Sequence, residues 1–152
     1  MIDRIQIARL HELPRAIEPL REDAARQGFS FVERLVSDWS RGINAFDRPG
    51  ECLFGALLDG RDLIGVGGLN RDPYAADPAV GRIRHLYIHA DFRRHGIGRA
   101  IVERLLDEAR RTFSQIRLRT DSEEAARFYL RCGFLPLNEP TASHGLELET
   151  GK

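Results

Sequence analysis

Arg93-Arg94-His95-Gly96-Ile97-Gly98 follows the apolar stretch Leu86-Tyr87-Ile88 and opens the amphipathic run from Arg99 to Phe113. This order reads as strand, tight turn, helix. A helix N-terminus leaves its first backbone N–H groups unpaired and carries a partial positive charge, so it can hold a phosphate. Gly96 and Gly98 lack the Cβ that would keep phosphate oxygens away, and glycine tolerates backbone angles that other residues avoid. The Gly-Lys-Ser/Thr ending of a P-loop is missing. The three-glycine dinucleotide pattern is incomplete, and the turn lies past mid-chain rather than in an N-terminal βαβ unit.

Downstream, Ile116 to Thr120 reads as a strand and Asp121-Ser122-Glu123-Glu124 as a helix start, Asp121 and Glu124 forming an N-cap pair. Ala125-Ala126-Arg127-Phe128-Tyr129 follows and precedes Cys132-Gly133-Phe134. Upstream, Arg82 to His89 is the strand feeding the glycine turn, and residues 70–81, with Pro73 and Pro78, form a loop. Glu51 to Leu58, Asp59-Gly60 and Leu63 to Leu69 form a hairpin around a favoured turn dipeptide. Arg4 to Arg9 alternates as a first strand, with Ile5 and Ile7 on one face. Residues 13–27 and 30–40 read as helices parted by Gly28, the first made irregular or split by Pro19 and the second aligning Phe31, Leu35 and Trp39. In the 99–113 helix, Val102, Leu105, Leu106, Ala109 and Phe113 share a face, and further strands are expected near 134–137 and 144–149. The sum is about seven strands and four helices, a mixed α/β (α+β) fold rather than a regular alternation.

A chain of 152 residues with 42% hydrophobic content has room for one cored domain, taken as residues 1–152. It has no apolar run of membrane-spanning length and no signal-like N-terminus, so no membrane partner is expected and the cytoplasm is the default location. The 23 basic residues comprise twenty-two Arg and Lys152; 23 acidic residues interspersed among them bring the net charge to zero. Such interspersion argues against a nucleic-acid partner. Cys52 and Cys132 have no metal-ligand spacing and are expected to be free, buried thiols; no metal is expected.

Together the two central segments resemble the GCN5-related N-acetyltransferase (GNAT) family, over roughly residues 50–137. Arg93 leads a Gln/Arg-x-x-Gly-x-Gly/Ala pattern, and Ala125, Tyr129, Gly133 and Phe134 fit the family's Asn-x-x-Ala-x-x-x-Tyr-x-x-x-Gly-Phe, with Ser122 in place of the Asn. The resemblance implies a mostly antiparallel seven-stranded sheet, splayed open between its fourth and fifth strands to admit acetyl-CoA as acyl donor. It assigns Arg93, Arg94, His95, Gly96, Ile97, Gly98 and Arg99 to the pyrophosphate, and Leu86, Tyr87, Ile88 and Ser122 to the pantetheine arm. Tyr129 becomes the proton donor to the departing thiolate and a further cofactor contact.

The implied reaction is N-acetyl transfer by direct attack of a bound primary amine: a small amine, an amino acid or a peptide. Several family members carry a Glu or His base on the strand before the motif, at positions that align here with Arg82 and Arg84. A one-residue bulge would bring His85 there instead. Glu51 and water-mediated deprotonation are the other options. If Arg82 and Arg84 face the acceptor, they favour one carrying a carboxylate or phosphate. Residues 70–74 with Phe31, Trp39, Asn44 and Phe46 are expected to border the acceptor pocket. The alternative function is a non-catalytic acyl-CoA-binding regulatory module, and homodimerisation is left open.

Overall fold

The computed structural model describes residues 4–149, so the ends of the expected 1–152 domain lie outside the described residues. Seven strands form one sheet: β1 (Ile5–Arg9), β2 (Cys52–Leu58), β3 (Asp62–Arg71), β4 (Val80–Ile88), β5 (Gln115–Leu118), β6 (Leu135–Glu139) and β7 (Ala142–Glu147). The strand order is β1-β2-β3-β4-β5-β7-β6, and every neighbouring pair is antiparallel except β4 and β5. Four α-helices complete the mixed fold: α1 (Ile17–Arg26), α2 (Phe31–Ser40), α3 (Ile97–Ala109) and α4 (Glu123–Arg131). None of the described helices is long and apolar enough to cross a membrane.

Each face of the sheet is covered because each strand alternates. On one face, Ile101, Val102, Leu105, Leu106 and Ala109 of α3 pack with Phe54, Ile64, Ile83 and Ile116. On the other, Leu20 and Ala24 of α1 and Val32 and Leu35 of α2 enclose Leu53, Val66 and Tyr87.

The β4–β5 pairing decides the shape. Val80, Gly81 and Arg82 pair with Gln115, Ile116 and Arg117, and there it stops. β5 is only four residues long, and after Leu118 the chain turns towards α4, while β4 continues to Ile88. The β5-facing edge of β4 beyond Arg82 therefore has no strand partner, and the sheet opens between its fourth and fifth strands.

Several boundaries differ from the sequence reading. Pro19 neither splits nor disturbs α1, because the helix begins at Ile17 and a first-turn proline removes an N–H that has no helical partner. The β2–β3 turn spans Asp59 to Arg61, with Leu58 opposite Asp62 and both Asp59 and Gly60 in the left-handed region. β3 runs on to Arg71, shortening the expected loop, and α3 begins at Ile97 rather than Arg99. The α4 cap is Ser122, not Asp121: its Oγ accepts from Ala125 N at 3.2 Å. Both cysteines are free, but Cys132 is only half-buried.

Candidate functional site

The opening between β4 and β5 is a cleft of about 1100 Å³. One wall is β4 from Arg82 to Ile88; the opposite wall is Leu118 to Thr120 and the inner face of α4; the N-terminus of α3 closes one end. Twelve of the thirteen residues selected from sequence line it, namely His85, Leu86, Tyr87, Ile88, Arg93, Arg94, Gly96, Ile97, Gly98, Arg99, Ser122 and Tyr129. His95 is exposed and outside the lining.

At the α3 end the backbone curls. Arg94 (φ 67°) and Gly96 (φ 79°) are both left-handed, and such turns gather successive N–H groups into an anion-binding concavity. Gly96 is the N-cap of α3, and the first helical bond is Ala100 N to Gly96 O at 3.0 Å, so the N–H groups of residues 97–99 precede the helical ladder. A Cβ on Gly96 would meet no atom within 4 Å, whereas one on Gly98 would lie 3.3 Å from the Phe128 ring. Gly96 thus serves the left-handed turn, and Gly98 lets α3 approach α4. Arg93 braces the turn: its Nε donates to Ile88 O at 3.1 Å and its guanidinium lies 5.3 Å from the Tyr87 ring centre. That bond occupies the Ile88 carbonyl.

Midway along the cleft β4 carries a bulge. Tyr87 pairs with Val66 and Arg84 with Gly68, so His85 and Leu86 together stand opposite Gly67, with His85 at φ 59°. The extra residue reverses the alternation. Ile83 belongs to the α3-side core, and after the bulge Leu86 and Ile88 pack there, while Tyr87 joins the α1/α2-side core. Arg84 and His85, though adjacent, both turn to the α2 side, where the Phe46 ring lies 6.2 Å from the His85 ring and Arg34 and Asp38 act on Arg84.

His85 is buried and neither ring nitrogen has a hydrogen-bond partner. Burial, reinforced by the charges of Arg84 and Arg34, pushes its pKa down to about 3, and the nearby Phe31 backbone opposes this only weakly. The imidazole is therefore neutral at physiological pH and a weak base. Across the cleft, Tyr129 packs against Phe128 and Phe134, at 5.1 and 5.6 Å between ring centres. Burial raises its pKa, with a smaller contribution from Cys132, so the phenol keeps its proton.

Tyr87 donates to Asp23 Oδ2 at 2.6 Å, and the same oxygen accepts from Ala90 N at 3.0 Å, tying α1 to the end of β4. Burial and Asp23 push the Tyr87 pKa up to about 12. Burial alone would raise the Asp23 carboxyl. The bonds from Tyr87 and Ala90, the charge of His89 and a bond from Arg26 outweigh it and hold the group below the usual carboxylate range.

The far end of the cleft separates two arginines that look equivalent in sequence. Arg82 is engaged: Nη1 meets Asp72 Oδ2 at 3.2 Å, Nη2 donates to the Thr141 carbonyl at 2.8 Å, and Tyr74 lies against the guanidinium. Arg117 shares Asp72 at 3.6 Å. Arg84 is half-buried and lines the cleft, and among the described residues its side chain makes no hydrogen bond or ion pair. Glu51 is outside the lining; its carboxylate accepts from the backbone N–H groups of Arg48 and Arg71, at 3.3 and 3.0 Å. Of the expected acceptor border, Phe31 and Tyr74 line the cleft. Asn44 and Asn70 instead pair reciprocally at 2.9 and 3.0 Å, and Trp39 stacks with Phe46.

Sequence reading passed over Arg34, Arg119, Arg127, Phe128 and Arg131. The last three had a signal: with Ser122, Ala125, Tyr129 and Cys132 they recur at three- and four-residue intervals, the spacing of one broad helix face.

The profile of the family described as Acetyltransferase (GNAT) family matches residues 10–134. Among solved structures, a protein from Exiguobacterium sp. 255-15, provisionally described as an acetyltransferase, is 30% identical and covers 94% of this chain and 93% of its own, at a TM-score of 0.85. Ard1 from Thermoplasma volcanium is 22% identical, with 93% of each chain covered and a TM-score of 0.66. The yncA protein of Salmonella typhimurium, also provisionally an acetyltransferase and solved with its cofactor acetyl-CoA, is 17% identical, with 97% and 96% covered and a TM-score of 0.71. No curated protein matches the chain in sequence.

Proposed function

We propose, for a chain that belongs to the acetyltransferase (GNAT) family, that it transfers the acetyl group of acetyl-CoA to a bound primary amine by direct attack. The observation that carries this reading is the continuity of two features: an unpartnered β4 edge that ends in a left-handed turn at the N-terminus of α3. The open space at the Gly96 Cβ position fits a diphosphate there. The backbone edge of residues 86–88, which has no strand partner and keeps only its Ile88 carbonyl occupied by Arg93, fits an amide-bearing arm, which can bind like an added half-strand. Acetyl-CoA supplies an activated thioester carbonyl.

The chain's own groups then have separate tasks. Backbone N–H groups at the α3 turn, with Arg94 and Arg99, hold the diphosphate; Arg93 keeps the turn against β4. Ser122 caps α4 through its oxygen, leaving its O–H free to donate to the arm. Attack of the amine nitrogen on the carbonyl carbon breaks the C–S bond, and the Tyr129 O–H is the proton source for the leaving thiolate. The amine proton goes to water, with His85 on the acceptor side of the cleft as a weaker acceptor, and water returns a proton to Tyr129.

The test is thiol release from acetyl-CoA by purified protein across amino acids, polyamines, aminoglycosides and short peptides, alongside a Tyr129→Phe variant. Acceptor-dependent release that falls in the variant supports the reading. Tight acetyl-CoA binding without release from any acceptor favours a non-catalytic acyl-CoA-binding module.

A further inference from the structure

We infer that the acceptor is a small amine bearing an oxyanion, a carboxylate or a phosphate, seated on Arg84 and Arg34 at the end of the cleft opposite the α3 turn. This rests on the transferase reading and names the substrate class of that same site.

The first observation is the unequal fate of the β4 arginines. Arg82 is satisfied by Asp72, Thr141 and Tyr74, yet Arg84, two residues on, has no partner. A half-buried guanidinium is partly desolvated and keeps donors that no protein group uses, so an anion arriving there replaces water with charge-assisted hydrogen bonds. The second is that Arg34, an exposed residue of α2 close enough to act on Arg84 and His85, lines the cleft and makes no side-chain hydrogen bond or ion pair among the described residues. Asp38 is the anionic group of α2 that acts on Arg84, against the like charges of Arg82 and Arg34. Asp72, the buried carboxylate nearby, is already divided between Arg82 and Arg117. The third is the makeup of the cleft as a whole: nine of its lining residues are arginines and one, Glu124 on α4, is acidic, and of the nine only Arg82, Arg99 and Arg119 are ion-paired among the described residues, with Asp72, Glu103 and Asp121.

The planar guanidinium fork matches carboxylate and phosphate geometry, and an excess of positive charge repels polyamines and other polycations. The same charge has a chemical use. A cationic surround disfavours the ammonium form of an incoming amine, so the attacking free base forms without a strong protein base. His85, beside Arg84 on the bulge and a weak base itself, suits that division of labour.

The experiment compares matched acceptors: amino acids against their amides, and aminoalkyl phosphates against the corresponding amino alcohols. The wild-type protein is expected to favour the anionic member by roughly tenfold or more in kcat/KM, mainly through KM, the range of one charge-assisted contact. In Arg84→Gln that preference ratio falls towards one, and Arg84→Lys restores part of it. The amino-acid and phosphate arms distinguish the two oxyanions. A preference for neutral or cationic amines, or a ratio unmoved in Arg84→Gln, overturns the proposal while leaving the transferase reading intact.

A second readout does not need turnover. N-acetylated amino acids and phosphorylated N-acetyl amino alcohols are titrated into CoA-saturated protein and followed by thermal shift. The anionic compounds are expected to raise the Tm of wild type and not of Arg84→Gln. An absent or variant-independent shift for both kinds of anion overturns the anion site even if no amine is acetylated.

Discussion

The two ends of the cleft present positive charge by different means. At the α3 turn the donors are backbone N–H groups, arranged by two left-handed residues and a helix start. At the opposite end they are the side chains of Arg84, placed on the α2 side by the regular alternation of β4 before its bulge, and of Arg34 from α2. A backbone site depends on local chain geometry and tolerates exchange of the neighbouring side chains. A side-chain site depends on which face of a strand each residue occupies, and a single substitution can erase it.

Gly96→Val tests the backbone end most severely. It places a β-branched residue at φ 79° and fills the open Cβ position. Acetyl-CoA binding measured by calorimetry is expected to vanish while circular dichroism reports an intact fold; normal affinity would break the comparison. Next comes Tyr129→Phe, between the two ends, which should lower kcat by roughly a hundredfold or more with little change in acetyl-CoA affinity. An unchanged kcat removes Tyr129 as proton donor.

The bulge itself is tested through His85. Its folded-state pKa of about 3 lies below the ordinary 6.5, so as pH falls the unfolded chain takes up this proton first. Its contribution is complete above about pH 6.5 and declines towards pH 3, with a slope of at most about 1.4 kcal/mol per pH unit. His85→Asn should flatten this acid loss in urea unfolding, and an identical pH dependence would place the imidazole in water. The smallest effect is Ser122→Ala, expected to cost about 1 kcal/mol in unfolding free energy through loss of the α4 cap. A neutral outcome would assign the cap to another group.

Legibility in the sequence followed the same division. The glycine turn and the Ala125 to Phe134 segment are local texts, and twelve of the thirteen residues chosen from them and from the preceding strand reached the cleft. His95 did not, because the turn that converges its neighbours leaves it exposed. Boundaries moved where a neighbour competed for a local role, as when Ser122 rather than Asp121 capped α4. Trp39, Asn44 and Phe46 were expected at the acceptor, but other partners took them: Asn44 the side chain of distant Asn70, and Phe46 the ring of Trp39.

The sequence alone determined the order of strands and helices, the glycine turn that opens α3 and the tyrosine that follows it on α4, since each is written in residues close together in the chain. Only the tertiary structure separated Arg82 from Arg84. Their alternation is identical in sequence, but Asp72, Thr141 and Tyr74 neutralise the first, while the second is left facing the cleft. The extra residue at His85 then breaks the period of two, so Arg84 and the imidazole share a side that strict alternation would have denied one of them.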